Sequence, residues 1–323
     1  MRQILVSGLV NTETTVQIRQ FPIPYYPIDY PFFGVDTAVS GVAYNIVRAL
    51  HTLGDGVRLL SMTGSDVPAA LIRQELQSLH LDTAGVLPCL RQTPNSAVLY
   101  DGDGRRQIYC DLKDIQQTGY PFDSAVLDGV DLVVACNTNF NRPLLRMARA
   151  AGKPIATDVH VLSDPYDGYN RDFLEYADLL FLSDEGIGED YRPFLMELAR
   201  LYGCAVLVLG RGSRGAALYL RQTGQIYELP AVQVGPVVNT AGAGDALFSA
   251  FVHYYVRGAA PLEALAKAQV FASAKIGVTG AAQGFVDEAT VEDLCRRQTV
   301  SILMSTEQSK KPCGARHSGP FMV

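Results

Sequence analysis

The residues best suited to chemistry in this chain are Asn239-Thr240-Ala241-Gly242-Ala243-Gly244-Asp245, which lead into an apolar run at 246–251. Small residues and glycines let a ligand approach the backbone. The apolar run predicts a helix behind them, whose free N-terminal N–H groups and dipole suit an anion. Asp245 stands at the rim of this nest. A carboxylate beside an anion hole is electrostatically costly unless it works as a base. The pair therefore fits phosphoryl transfer: the backbone of Gly242, Ala243 and Gly244 stabilises the charge of the transferred group, and Asp245 takes a hydroxyl proton. A glycine-rich turn before a core helix is the simpler reading of a lone Gly-Ala-Gly, so the rest of the chain must decide.

Other clusters carry polar groups in patterns that fit a ligand. Ser40-Gly41-Val42-Ala43-Tyr44-Asn45 runs into a helical pattern at 46–53. Its small pair exposes backbone, and Asn45 can donate to and accept from a hydroxyl, or simply cap the helix. Gly8-Leu9-Val10-Asn11-Thr12-Glu13 follows the first predicted strand. Strand ends are where an open α/β sheet presents a ligand site, although a solvated loop glutamate is the alternative. Gly210-Arg211-Gly212-Ser213-Arg214-Gly215 has the G-x-G-x-x-G spacing of a dinucleotide site. That reading fails, because the next segment, 217–220, is patterned as a strand and not a helix. Arg211 and Arg214 face either a nucleotide or solvent. Ser183-Asp184-Glu185 and Asp158 each follow a predicted strand.

Taken together, and over about residues 3–295, these motifs resemble the ribokinase-like, or pfkB-type, carbohydrate kinases. Residues 239–245 match the family's D-T-x-G-A-G-D in all but the first position. The resemblance implies Asp245 as catalytic base, with Gly242, Ala243 and Gly244 as the anion hole. Ser40 to Asn45 is similar to the family's G-G-x-x-x-N, and Gly8 to Glu13 to its G-x-x-x-x-D, whose carboxylate grips two sugar hydroxyls. Glu13 reaches one methylene further than that aspartate. Asn11, Glu13, Ser40, Gly41 and Asn45 are thereby the implied substrate ligands. Residues 210–215 resemble T-x-G-x-x-G beside the nucleotide phosphates, implying Gly210, Gly212, Gly215, Ser183 and Thr240 on the nucleotide. The family's N-x-x-E, which orders the water shell of a metal, is altered: Ser183 replaces Asn and Gly186 replaces Glu. Glu185, acting through water, or Asp184 would substitute, with Asp158 as a further candidate. Some phosphosugar kinases of the family carry lysine in the second motif. Val42 and Ala43 stand there in this chain and favour an uncharged polyol.

The implied cofactors are ATP and Mg2+. In ribokinases the carboxylate at the position of Asn239 helps to hold a monovalent cation. A neutral amide holds one more weakly, which weakens the expectation of potassium activation. The expected reaction is ATP-dependent phosphorylation of a hydroxyl of a free sugar. Two rivals stay open. One is a nucleoside kinase, with Tyr25, Tyr26, Phe32 and Phe33 stacking on a base. The other is a catalytically weak sugar-binding regulatory protein, favoured by Asn239, Ser183, Gly186 and Ser40 and opposed by the intact residues 242–245. Neither the sugar nor the oligomeric state is legible.

The elements that must position these residues follow from periodicity. Apolar runs at 4–6, 57–61, 132–135, 154–157, 179–182 and 205–209 predict strands buried on both faces. Helical spacing appears at 43–53, 71–79, 143–151, 193–202, 246–257 and 262–278. The alternation predicts an α/β fold: a three-layer α/β/α sandwich with a mostly parallel central sheet. Residues 14–19 and the hairpin 96–110 break the pattern and predict half-buried strands outside the main sheet. Family resemblance makes them a small β lid over the sugar, inserted at about 13–35 and 92–112 of a kinase domain spanning 1–298. Residues 299–323 lose periodicity and read as a flexible tail.

The chain has 323 residues and a formal net charge of -6, which gives no footprint for nucleic acid. No apolar run approaches membrane-spanning length. Six cysteines lack any C-x-x-C pair and five histidines lack metal-ligand spacing. Reduced cysteines in a cytoplasmic protein are the expectation. The aromatic stretch 25–33 would suit pairing of two lids in a homodimer, or closure over substrate.

Overall fold

In a computed structural model, which describes residues 1–297 and 303–304, the short apolar runs form one ten-stranded sheet. β1 (Gln3–Ser7) lies inside it, with β4 (Gly56–Met62) on one side and β8 (Leu132–Ala135) on the other, both parallel to it. β5 (Val86–Leu87) extends the β4 side. β9 (Ile155–Val161), β10 (Leu179–Ser183) and β11 (Val206–Gly210) continue the parallel run beyond β8. β12 (Ala216–Leu220), β13 (Gln225–Leu229) and β14 (Leu303–Met304) finish it antiparallel. Strands such as Leu132–Ala135 are buried throughout, as continuous apolar runs between two helical layers must be.

The chain leaves β1 toward β4 and β5 and later returns on the other side through β8 to β11. Strand order therefore reverses at β1, and a crevice opens outside the carboxyl ends of the strands there. Gly8, the first residue past β1, has no room for a side chain: a Cβ would lie 2.5 Å from the Cys136 Sγ.

Helices cover both faces: α1 (Val42–Thr52), α2 (Val67–Ser78), α3 (Arg142–Ala150), α4 (Arg171–Tyr176), α5 (Arg192–Leu201), α6 (Ala243–Val256), α7 (Pro261–Lys275) and α8 (Glu288–Arg297). α6 is apolar almost all round because α1, α7 and the sheet enclose it. Phe248 and Phe251 meet Phe181 of β10 edge-on, with ring centroids 5.0 and 5.1 Å apart. Such aromatic pairs add to area burial and fix orientation.

A second sheet stands apart, in the order β3-β2-β6-β7. Its strands are β2 (Asn11–Gln17), β3 (Val35–Ser40), β6 (Asn95–Tyr100) and β7 (Arg106–Asp111). It contains the strands expected outside the main sheet, of which β2 and β6 are partly buried while β7 is exposed throughout, and adds β3, whose first four residues are exposed. α8 was equally hidden, since Val291 is its one buried residue. No helix among the described residues is long and apolar enough to cross a membrane. Of the tail expected at 299–323, 303–304 pair with β13 and the remainder lies outside the described residues.

Candidate active site

Residues 242–245 open α6. Gly242 caps it with φ +75, and a Cβ there would sit 2.2 Å from the Ala281 carbonyl oxygen, so only glycine fits. Ala243 and Gly244 form the first turn with Asp245. Thr240 is exposed, and its carbonyl accepts from the Ala243 N–H at 3.2 Å. Asn239 turns its side-chain oxygen onto the Ala241 N–H at 2.7 Å.

α1 begins in a similar way. Gly41 has φ +106, and a Cβ would lie 2.6 Å from the Leu9 carbonyl. The Asn45 amide then donates to the Asp245 carboxylate at 2.7 Å. Two helix N-termini thus converge on one acid. Burial pushes the Asp245 carboxyl above its ordinary range, while His160 and the Asn45 amide pull it back. A raised carboxylate is a better proton acceptor, provided its charge is supported.

The small sheet gathers the other predicted substrate ligands by register. Asn11 pairs with Ser40, and Glu13 lies two residues along β2, so all three share a face. The Ser40 hydroxyl donates to Glu13 at 3.3 Å, and burial raises the Glu13 carboxyl. The Asn11 amide donates to the Ser96 hydroxyl at 2.7 Å. The side-chain oxygens of Asn11 and Asn45 are buried and have no partner. Buried amide oxygens are normally bonded, and these two have the capacity to accept from hydroxyl donors.

The nucleotide-side predictions fall at neighbouring strand ends. Ser183 and Gly210 are paired across β10 and β11. Gly212 and Gly215 both take positive φ, and a Cβ on Gly215 would meet the Leu229 carbonyl at 2.0 Å. These glycines shape the turn into β12. Arg211 and Arg214, left open between nucleotide and solvent, are engaged within the protein. Arg214 pairs with Asp184 at 2.5 Å, and Arg211 lies over the Tyr191 ring and reaches Glu228 at 3.5 Å. Asp184 is thereby committed. Glu185 is exposed, and its own N–H bonds the Ser183 hydroxyl at 3.3 Å.

Three residues join the site that spacing along the chain did not single out, His160, Arg106 and Lys275, beside Asp158, which was a candidate for the metal's surroundings. His160 and Asp158 come to Asp245, with one ligand atom from each lying within 4.8 Å of the others. That donor set fits a divalent cation better than exposed Glu185 does. Arg106 shares a row with Tyr100 and Gln17, on the same lid face as Glu13, and its charge is felt by both Glu13 and Lys275. Lys275 is fully buried behind residues 239–242. His160, Arg106 and Lys275 had no local signal, because a histidine in a strand, an arginine in an exposed strand and a lysine in a last helical turn are ordinary.

Comparison with known proteins bears on the family and the fold. The model of the pfkB family of carbohydrate kinases matches residues 32–288. An acarbose 7(IV)-phosphotransferase from Actinoplanes sp. is 25% identical, covering 80% of this chain and 87% of its own. A nucleoside kinase from Methanothermobacter thermautotrophicus is 24% identical, covering 80% and 84%. The structure of Arabidopsis thaliana ribokinase with ribose and ATP superposes with a TM-score of 0.78 at 20% identity, covering 92% of this chain and 99% of that one. A microbiome-derived acarbose kinase gives a TM-score of 0.80 at 23% identity, covering 92% and 99%. The fold is therefore ribokinase-like. With the family model matching well over half its length, this chain belongs to the pfkB family of carbohydrate kinases.

Proposed function

We propose that this chain transfers the terminal phosphoryl group of ATP to a hydroxyl of a free sugar. The observation that carries the reading is the pair of orphaned amide oxygens, Asn11 and Asn45, the first on the β2 face that carries Glu13 and the second on the side chain bonded to Asp245. Hydroxyl donors satisfy those oxygens, which an anionic group placed against them could not.

In this reading the sugar lies under the small sheet, held by Asn11, Glu13, Ser40 and Asn45, with Gly41 leaving room for close approach. Asp245 takes the hydroxyl proton as the oxygen attacks, and Asn45 keeps the carboxylate oriented through its 2.7 Å bond. Backbone N–H groups of 242–244 at the start of α6 meet the charge developing on the phosphoryl oxygens. Magnesium arriving with the nucleotide supplies charge neutralisation on the phosphates. Asp158 would hold its water shell, in place of the expected Glu185. Gly210, Gly212, Gly215, Ser183 and Thr240 line the nucleotide's path along the strand ends. The lid keeps water from competing for the phosphoryl group.

The relatives named above act on sugars and on nucleosides, so the acceptor is tested across both. The first measurement is ADP release with magnesium-ATP over free sugars, sugar phosphates and nucleosides. Turnover with a free sugar or oligosaccharide is expected. A nucleoside hit would move Tyr25, Tyr26, Phe32 and Phe33, all exposed or nearly so, to base stacking. Ligand binding with no turnover would favour the regulatory reading. The same exposed aromatics suit a homodimer formed through the lids, which sedimentation velocity would test.

A further inference from the structure

Lys275 ends α7 with no solvent-accessible surface. A buried ammonium is costly unless its charge is met. Among the described residues no carboxylate lies within ion-pair distance of it. It donates instead to the Ala241 carbonyl, inside the nest loop, and to the Gly280 carbonyl at 2.7 Å. Two backbone oxygens from loops far apart in sequence thus converge on one fixed positive charge.

The surroundings are laced around that charge. The N–H groups of Val238 and Asn239 both donate to the Ile276 carbonyl, at 2.8 and 3.0 Å. Gly242 is pressed against Ala281, as its forbidden Cβ shows. Asn239, at this place, is neutral and spends its oxygen on the Ala241 N–H. A hard monovalent cation needs oxygen ligands, and preferably a charged one. At this place the carbonyls are bonded to an ammonium and the carboxylate is absent. The residues present therefore do not fit a bound potassium ion.

We infer that Lys275 is a tethered cation that replaces a monovalent metal ion behind the anion hole, clamping the 241–244 loop to the 276–281 loop. It is a positioning residue, and its purpose, though not its chemistry, rests on the kinase reading above. Burial lowers the ammonium to about 8, with Asp245 opposing and Arg106 reinforcing that fall, so it stays largely protonated at neutral pH. A covalently held charge needs no recruitment from solution, and its ordering cost is met in folding.

The test compares melting temperature and ADP release in potassium chloride and in tetramethylammonium chloride at equal ionic strength. Wild type should melt and turn over alike in both salts. Lys275→Met should lose turnover by about tenfold or more and regain part of it in potassium alone. Lys275→Met combined with Asn239→Asp, which restores a carboxylate, should gain a potassium-dependent rise in melting temperature. The inference is overturned if wild type melts higher or turns over faster in potassium, or if Lys275→Met is indifferent to the salt. Should Lys275→Met fail to fold, the wild-type comparison still decides. Melting temperatures report cation binding without turnover, so an enzyme silent on every acceptor would sink the kinase reading and leave this one decided.

Discussion

Replacing Asp245 by asparagine separates the chemistry of this site from its stability. The carboxylate is half-buried at the start of α6, and its pKa is raised chiefly by burial. Folding therefore favours its neutral form, and above the raised pKa the ionised group works against the folded state. Asparagine has nearly the same shape, keeps an oxygen to accept from Asn45, and carries no charge. Asp245→Asn should therefore raise the melting temperature at neutral pH while removing the base. General-base catalysis contributes about 10²–10⁴-fold, or roughly 3–5 kcal/mol of barrier, and turnover should fall by that much. Nucleotide binding should survive, because the glycines at 210–215 and the strand ends are untouched. The assay is single-turnover ADP formation beside thermal unfolding with and without ATP. Turnover within about tenfold of wild type would show that Asp245 is not the base. A lower melting temperature would show that its charge is supported better than its burial implies.

Gly242→Ala forces φ +75 on a residue with a Cβ and drives that atom to 2.2 Å from the Ala281 oxygen. About 1–3 kcal/mol for the backbone and a similar amount for overpacking should appear in denaturant unfolding, with turnover falling too as the nest shifts. Glu13→Gln should raise the acceptor KM with little change in kcat. Since burial raises the Glu13 carboxyl, protonation begins at a higher pH than for an exposed glutamate, and the wild-type acceptor KM should climb as pH falls through the mildly acidic range, a rise Glu13→Gln should lack. Phe181→Ala removes the ring that Phe248 and Phe251 meet edge-on. A loss of about 3–5 kcal/mol is expected in chemical denaturation, and a loss under 1 kcal/mol would show that α6 is held by other contacts.

Much of this molecule was legible before folding was considered. Continuous apolar runs and period-3.6 hydrophobicity are local, so the buried strands at 132–135 and 179–182 and the helix that carries Asp245 declared themselves within a dozen residues. The glycine start of α6 at 242 was equally plain, because glycine at a helix start answers to the conformation of its own backbone. Elements with weak patterning escaped: β3 is mostly exposed, and α8 buries one side chain.

What only tertiary structure decided is which distant groups meet. Asn45 and Asp245 are 200 residues apart and share a 2.7 Å hydrogen bond because strand order reverses at β1 and brings two helix N-termini to one crevice. Asp158 and His160 reach Asp245 by the register of β9, and Arg106 shares the Glu13 face by the register of β6 and β7. Lys275 sits in the last turn of α7, and packing of α7 against α6 turns it inward onto the loop that precedes α6. Sequence fixes local conformation through short-range sterics and burial pattern. Electrostatic partnership depends on register and packing between elements far apart in the chain, and no spacing along that chain records it.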